Sequence, residues 1–389
     1  MKTFQLFGAA LLGLTLSTLV RAEESAPKPL YPGERIMQGA GYPALTRFIK
    51  GDPTKALIVF IPGAGHTARI AYGGHAGGRE EDFLAHWLVA QGYSFLGISY
   101  PIATKHPVDK EAYPDFTIRS WGKQAAAIAK ATVDDNKLSK RIILVVWSNA
   151  GRSPQSFNEA AVNLGLEVDF CTSFSATPPS AAVTTMPPES PSFLMKTQKA
   201  KNGYMGLSRR YDDWYDQVRS NSSEDREIIP KEIYRSDYVG DMPVNLIGLG
   251  MKYQDGGFVA SGLTFIEDSK AYDLSGFPLM TTIVTDNAVD SRHALTDQAL
   301  WASFLIGKVY VDYIEKTKVD VAAMPNEKWQ AVLRVIRTAP RQLSVGTSGN
   351  HFFFVGEPGA RRTAQSIMML EERVHAFRAE LGGLLGIKP

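Results

Sequence analysis

A serine at the end of an apolar run is the residue with the clearest chemical potential in this chain. Residues 142–146 (Ile-Ile-Leu-Val-Val) predict a strand buried on both faces, and residues 147–151 (Trp-Ser-Asn-Ala-Gly) are mostly small and can turn sharply into a helix. A serine at such a corner presents its hydroxyl above the sheet, where a base can reach it. The pattern makes Ser148 a candidate nucleophile. The alternative is a buried strand followed by an ordinary Ser-Asn turn.

A serine hydroxyl is a poor nucleophile at neutral pH. It needs a base within hydrogen-bond reach and a third group that orients this base. His351 follows the glycine-containing turn 346–350, between the last predicted strand and the closing helix, and three phenylalanines come after it. Asp286 lies just past a predicted strand at 279–284. Asp290 is four residues further on and could be the partner instead, or it could cap the helix predicted near Ala294.

The segment 142–152 resembles the nucleophile elbow of the α/β-hydrolase superfamily, in which serine, acid and histidine follow one another along the chain. Val146 and Ala150 occupy the positions of the two glycines in the usual G-x-S-x-G form. The D-x-x-V run that starts at Asp286 resembles the acid loop of the superfamily, so we favour Asp286 over Asp290 as the acid. The segment around His351 resembles the histidine loop.

The same resemblance implies an oxyanion hole. Pro62-Gly63-Ala64-Gly65 follows an early strand at 56–61, where the superfamily has a His-Gly motif, and Pro62 replaces the histidine. By this match the backbone N–H groups of Ala64 and Asn149 would hold the developing oxyanion. The resemblance extends over about residues 55–382 in layout, whereas its specific motifs cover only four short segments.

As a function, the resemblance implies a serine hydrolase that acts on a small-molecule ester through an acyl-enzyme. A carboxylic ester with an apolar or aromatic group is the favoured substrate. A peptidase, a lactonase, a polyester depolymerase and an acyltransferase would use the same triad. A binding protein that kept the fold and lost catalysis is the alternative from another class, and it rests on Val146 and Pro62.

The order of predicted elements indicates an α/β fold. Strands and helices alternate up to about residue 178 and again after residue 273, which predicts a mostly parallel sheet flanked by helices. Residues 179–272 interrupt this alternation and are rich in charged and aromatic residues. We therefore expect a core formed by residues 23–178 and 273–389. The resemblance implies that the insertion 179–272 is a cap or lid, and a surface decoration is the alternative.

The first 22 residues predict a cleavable signal peptide. Lys2 precedes an apolar run from Phe4 to Val20, and small residues allow cleavage near Ala22. No later stretch has the ~18 consecutive apolar residues that a membrane-spanning helix requires. We therefore expect a secreted or periplasmic protein without a stable membrane span.

Composition and motifs point away from several other classes. The 389 residues include 42 basic and 40 acidic ones, a net charge of +2, so we expect no nucleic-acid partner. The single cysteine, Cys171, excludes an intramolecular disulfide. The glycine-rich run 63–78 lacks a following Gly-Lys-Ser/Thr, and His66, His75 and His86 do not have zinc-finger spacing. We accordingly predict no cofactor and no metal.

Overall fold

The computed structural model describes residues 30–105, 107, 111–180, 201–206, 208–223, 225–247, 251–260 and 264–387. The predicted signal peptide and residues 181–200 of the insertion lie outside these ranges. The strands of the described residues are β1 (Glu34–Gly39), β2 (Tyr42–Ile49), β3 (Leu57–Ile61), β4 (Ser94–Ile98), β5 (Ala103–Thr104), β6 (Arg141–Trp147), β7 (Glu167–Phe174), β8 (Tyr204–Met205), β9 (Gly240–Pro243), β10 (Met251–Gln254), β11 (Gly257–Ala260), β12 (Met280–Thr285) and β13 (Ser344–Thr347).

The central sheet has eight strands in the order β1-β2-β4-β3-β6-β7-β12-β13. Strand β2 pairs antiparallel with β1 and β4, and the pairs from β4 to β13 are all parallel. Strands β3 and β4 are buried at every residue, as is β6 except for Arg141, which is why they consist of continuous apolar runs. The predicted mostly parallel α/β sheet is confirmed.

Helices flank this sheet. Those of the described residues are α1 (Arg69–Tyr72), α2 (Leu84–Ala90), α3 (Ile118–Asn136), α4 (Pro154–Asn163), α5 (Ser208–Ser220), α6 (Lys231–Ile233), α7 (Thr264–Asp268), α8 (Ser291–Tyr310), α9 (Asn326–Gln342) and α10 (Glu357–Leu385). Helix α3 packs against α4, and α10 packs against α2 and α9. Within the described ranges, no helix combines the length and the apolar character needed to cross a membrane.

Two elements differ from the sequence-based expectation. Residues 34–39, for which no strand was predicted, form the edge strand β1, which turns back into β2 through Ala40 and Gly41, both with positive φ. Helix α9 lies in a stretch for which no element was predicted. Its apolar residues pack against α10, so tertiary contacts stabilise a helix that contains Pro340 near its end.

The parallel strands bring the candidate residues to one edge of the sheet. Strands β3, β6, β12 and β13 end at Ile61, Trp147, Thr285 and Thr347. The loops that follow these four carboxyl ends carry, respectively, the Gly63-Ala64 turn, Ser148, the two candidate acids and His351. In open α/β sheets this edge is where ligands bind.

Candidate active site

Ser148 has a left-handed backbone conformation, with φ +56°. It is the first residue of a 3₁₀ turn, Ser148–Arg152, that connects strand β6 to helix α4. A left-handed conformation costs a residue with a side chain roughly 1–2 kcal/mol, so it persists only where the surroundings enforce it. The strand-turn-helix corner inferred from the sequence is therefore present, and Ser148 is its strained residue.

Gly63 lies directly against Ser148. A Cβ atom at Gly63 would be 2.6 Å from Cβ and 3.2 Å from Oγ of Ser148, so no side chain fits at this position. The Gly63 carbonyl accepts a hydrogen bond of 3.1 Å from the buried Tyr100 hydroxyl, which holds the loop in place. The absence of a side chain at residue 63 is what lets the loop after β3 approach the candidate nucleophile.

The two expected oxyanion donors directly follow, in the chain, the two residues that are in contact here, Gly63 and Ser148. Ala64 follows Gly63, and Asn149 follows Ser148. The N–H of Asn149 belongs to the first turn of a helix, where N–H groups have no acceptor within the helix. The Asn149 side chain donates a hydrogen bond of 2.7 Å to the Leu246 carbonyl. The arrangement is compatible with the predicted oxyanion hole.

His351 forms a hydrogen bond with Asp290, not with Asp286. The distance between His351 Nδ1 and Asp290 Oδ2 is 3.0 Å, and both side chains are largely buried. A carboxylate accepts only, so Nδ1 carries the proton and Nε2 is the free basic nitrogen. Burial alone would raise the pKa of Asp290, but the hydrogen bond and charge of His351 and the charge of His293 lower it below its usual value. Asp290 is therefore ionised at neutral pH.

The preference for Asp286 is thus corrected. Asp286 is exposed, and its Oδ2 accepts a hydrogen bond of 2.9 Å from the Ser348 hydroxyl. A 3₁₀ turn, Ala288–Asp290, follows β12 and brings the second aspartate, rather than the first, to the histidine. The role of helix cap considered for Asp290 is not observed, because its side chain makes no capping hydrogen bond to α8.

His351 and Ser148 are neighbours through Trp147. The indole Nε1 of Trp147 donates a hydrogen bond of 3.0 Å to the His351 carbonyl, and the two rings lie 5.2 Å apart. Among the described residues, no hydrogen bond joins the Ser148 hydroxyl to the His351 imidazole. In free enzymes this bond is often long and forms only with substrate.

His66 lies within the aromatic surroundings of the site. Its ring centroid is 4.8 Å from that of Trp147 and 4.9 Å from that of Trp214. Nδ1 donates to the Ala64 carbonyl at 2.9 Å, so Nε2 accepts the Tyr234 hydroxyl at 2.8 Å. Burial, with a smaller contribution from His351, lowers the pKa of His66 to about 3. His66 is therefore a neutral residue that fixes the loop of Ala64.

A second histidine–carboxylate pair adjoins His351 and was not predicted. His293 Nδ1 lies 3.0 Å from Asp297 Oδ2, one turn along α8, and its ring is 5.3 Å from that of His351. Asp290, His293 and His351 each offer a ligand atom, and these atoms lie within 4.8 Å of one another, a set that a divalent cation could use. Both Nδ1 atoms already donate to carboxylates, so the observed hydrogen bonds account for the cluster.

The described part of the insertion contacts the loops of the site directly. Asn350, next to His351, donates through Nδ2 to the Gln217 carbonyl at 2.8 Å and to Ser220 Oγ at 3.0 Å. The His351 N–H donates to Gln217 Oε1 at 3.2 Å. These partners are more than 120 residues apart in the chain, so no local sequence signal could have identified them.

Among known proteins, resemblance is found with solved structures of low sequence identity. No family model and no curated relative matches the sequence. An esterase from Thermogutta terrifontis resembles it at 11% identity and a TM-score of 0.47, over 88% of this chain and 99% of that one. An α/β-hydrolase from Novosphingobium aromaticivorans does so at 11% identity and a TM-score of 0.44, over 88% of this chain and 99% of that one. An extracellular α/β-hydrolase from a Paenibacillus species does so at 14% identity and a TM-score of 0.43, over 81% of this chain and 98% of that one. Because these TM-scores are below 0.5, the α/β-hydrolase fold is assigned from the strand order and the corner at Ser148.

Proposed function

We propose that this protein is a serine hydrolase that cleaves a carboxylic ester, with Ser148 as nucleophile, His351 as base and Asp290 as the orienting acid. The observation that carries this proposal is the strained conformation of Ser148, φ +56°, at the end of a buried parallel strand. Strain of this kind at a serine has a catalytic use, because it presents the hydroxyl above the sheet.

The proposed chemistry follows from the donors and acceptors present. Ser148 Oγ attacks the ester carbonyl carbon while His351 Nε2 removes its proton, and the Ala64 and Asn149 N–H groups stabilise the oxyanion. The imidazolium then protonates the departing alcohol, which leaves an acyl-serine. Water, deprotonated by the same imidazole, attacks this ester and releases the acid. Asp290 stays ionised throughout and stabilises the imidazolium.

The surroundings of the site support an apolar or aromatic substrate group and a cap formed by the insertion. Trp214 and Tyr211 of α5 lie in the described part of the insertion, with ring centroids 5.9 Å apart, and Trp214 packs near His66. Both are only partly buried and so keep apolar surface beside the site. Aromatic side chains supply large contact areas to apolar ligands.

Labelling with a fluorophosphonate tests the proposal. Such a reagent forms a covalent adduct only at a serine that is activated and faces an oxyanion hole. The native protein should be labelled, and Ser148→Ala and His351→Ala should not. Ser348→Ala, which removes an exposed serine of the neighbouring loop, is the matched control and should be labelled normally. A folded native protein that stays unlabelled contradicts the enzymatic function.

A binding protein that uses the fold without catalysis is the second candidate. It is favoured by the lack of a hydrogen bond between Ser148 and His351 in the described structure, together with Val146 and Pro62 at the motif positions. Such a protein would bind the phosphonate or an ester only reversibly. Intact-mass measurement after dialysis distinguishes the two, because only the hydrolase retains the adduct.

We further propose that the protein is exported and that its first 22 residues are removed. The support is the charged start, the apolar run and the small residues near Ala22. N-terminal sequencing of the protein recovered from periplasm or medium should give a chain that begins at about Glu23. A chain that still begins at Met1 in the cytoplasm contradicts export.

A further inference from the structure

Arg152, four residues after the candidate nucleophile, is a buried arginine that has no carboxylate partner among the described residues. Its side chain belongs to the 3₁₀ turn that begins with Ser148, and the residue is only 4% exposed. Nη1 donates to the Leu246 carbonyl at 3.3 Å, and Nε has no partner among the described residues. Buried charges are ordinarily paired, because an unpaired one has lost its hydration without compensation.

Arg69 of the same chain shows the ordinary arrangement. It is 5% exposed, and its guanidinium forms a two-pronged ion pair with Glu34, at 2.8 Å from Nε and 2.7 Å from Nη2. Arg152 is buried to the same extent, and no carboxylate of the described residues neutralises it. Burial and, to a smaller extent, the charge of Arg292 lower the pKa of Arg152 to about 9. An anion placed here would remove an unfavourable charge.

Arg292 brings a second guanidinium to the same region. Its side chain is exposed, and Nη2 donates to Thr177 Oγ1 at 2.9 Å and to His293 Nε2 at 2.6 Å. The Thr177 N–H donates to the Ser148 carbonyl at 2.8 Å. The acidic groups near it, Asp290 and Asp297, are bonded to the two histidines. Across the described part of the chain, Arg292 therefore has no carboxylate within ion-pair distance.

The two arginines bind residues that contact the corner of Ser148. The Leu246 carbonyl accepts hydrogen bonds both from Asn149 Nδ2 and from Arg152 Nη1, so Arg152 lies beside the residue that follows Ser148. Arg292 reaches the same corner from α8 through Thr177. Each guanidinium is thus linked to the Ser148 corner through one hydrogen-bonded residue, Leu246 for Arg152 and Thr177 for Arg292.

We propose that Arg152 and Arg292 form an anion subsite that binds a carboxylate carried by the ester substrate, so that the preferred substrates are monoesters of dicarboxylic acids rather than neutral esters. The planar guanidinium matches a carboxylate in geometry and forms charge-assisted hydrogen bonds with it. This inference rests on the proposed function for the ester. For the carboxylate it rests on two arginines that have no carboxylate partner among the described residues.

A matched pair of esters tests the specificity. Methyl hexanoate and monomethyl adipate have the same scissile bond and chain, and only the second carries a terminal carboxylate. At pH 7.5 we expect kcat/KM to be about tenfold or more higher for monomethyl adipate, as charge-assisted hydrogen bonds predict. This ratio should fall towards one in Arg152→Met and in Arg292→Gln. Arg334→Gln, an exposed arginine of α9, is the control and should keep the native ratio.

Binding without turnover separates this inference from the proposed function. In Ser148→Ala protein, monomethyl adipate at millimolar concentration should raise Tm, and methyl hexanoate should raise it less. The shift should be lost in the double variants with Arg152→Met or Arg292→Gln. If both esters are hydrolysed equally and raise Tm equally, the anion subsite is contradicted, whereas the proposed hydrolase activity is not. A Tm shift specific to the anionic ester in a protein that hydrolyses neither ester overturns the hydrolase and leaves the subsite.

Discussion

His351 Nδ1 lies 3.0 Å from the Asp290 carboxylate, whereas Asp286, four residues earlier, binds the Ser348 hydroxyl. The sequence favoured Asp286, but the structure brings Asp290 to the histidine. A 3₁₀ turn over Ala288–Asp290 buries the second carboxylate next to the imidazole and leaves the first one exposed. The geometry expected of an orienting acid is therefore found at Asp290.

Replacing each aspartate by asparagine should give unequal losses of activity. Asp290→Asn no longer fixes the proton on Nδ1 of His351, and loss of the correct tautomer should lower kcat on a neutral ester by about 10³–10⁴. Asp286→Asn should change kcat by less than about threefold, because only a surface hydrogen bond to Ser348 is altered. Initial rates with a chromogenic ester measure both. A larger loss in Asp286→Asn than in Asp290→Asn would exchange the two roles.

The sequence predicted those parts of the site that depend on local pattern. A continuous apolar run followed by small residues predicted the corner at Ser148, and position after the last strand predicted His351. The loop path between β12 and α8 depends on packing around it, so the choice between the aspartates could not be made from local spacing. Edge strand β1 was missed because its residues alternate weakly between buried and exposed positions.

The partners that cross between the insertion and the core could not be predicted from the sequence at all. His66 binds Tyr234, 168 residues away, and Asn149 binds the Leu246 carbonyl, 97 residues away. The sequence also could not single out Arg152, because most arginines are exposed and only the structure shows that this one is buried. Burial and charge pairing depend on the fold, so they cannot be inferred from the sequence. The spacing of hydrophobic residues can be read from the sequence directly.

Gly63→Ala should impair both activity and stability. The added methyl group would lie 2.6 Å from the Ser148 Cβ, so either the loop of Ala64 or the serine must move. We expect a loss of about 1–3 kcal/mol in the free energy of unfolding and a fall in kcat of at least tenfold. Gly383→Ala in helix α10 is the control, because its methyl group meets open space. Urea unfolding and ester hydrolysis measure the two effects, and native values for Gly63→Ala would contradict the close contact.

The strain at Ser148 should be visible in the stability of two inactive variants. Alanine keeps the unfavourable left-handed conformation, φ +56°, and glycine relieves it. Glycine also raises the entropy of the unfolded chain, which offsets part of the gain. Ser148→Gly should therefore exceed Ser148→Ala in free energy of unfolding by about 0.5–1 kcal/mol. Equal stabilities, or a more stable alanine variant, would mean that the backbone at this corner relaxes out of the left-handed region.

His66 should make the fold sensitive to acid. Its pKa is about 3 in the folded protein because of burial, and about 6.5 in an unfolded chain. Between these values the unfolded chain binds one more proton than the folded one. Stability should therefore fall as pH decreases through this range, by about 1.4 kcal/mol per pH unit from this residue.

Two variants isolate the contribution of His66 from that of its hydrogen bond. His66→Gln removes the titrating group, so the slope of the free energy of unfolding between pH 4 and 6 should decrease by about 1.4 kcal/mol per pH unit. Tyr234→Phe removes the hydroxyl bound to Nε2 but leaves the imidazole, and it should lower stability by a similar amount at each pH. Urea midpoints measured across this range give both slopes. If the pH dependence of the free energy of unfolding is the same in His66→Gln and the native protein, His66 takes up its proton in the folded state. Its packing against Trp147 and Trp214 would then not keep it neutral.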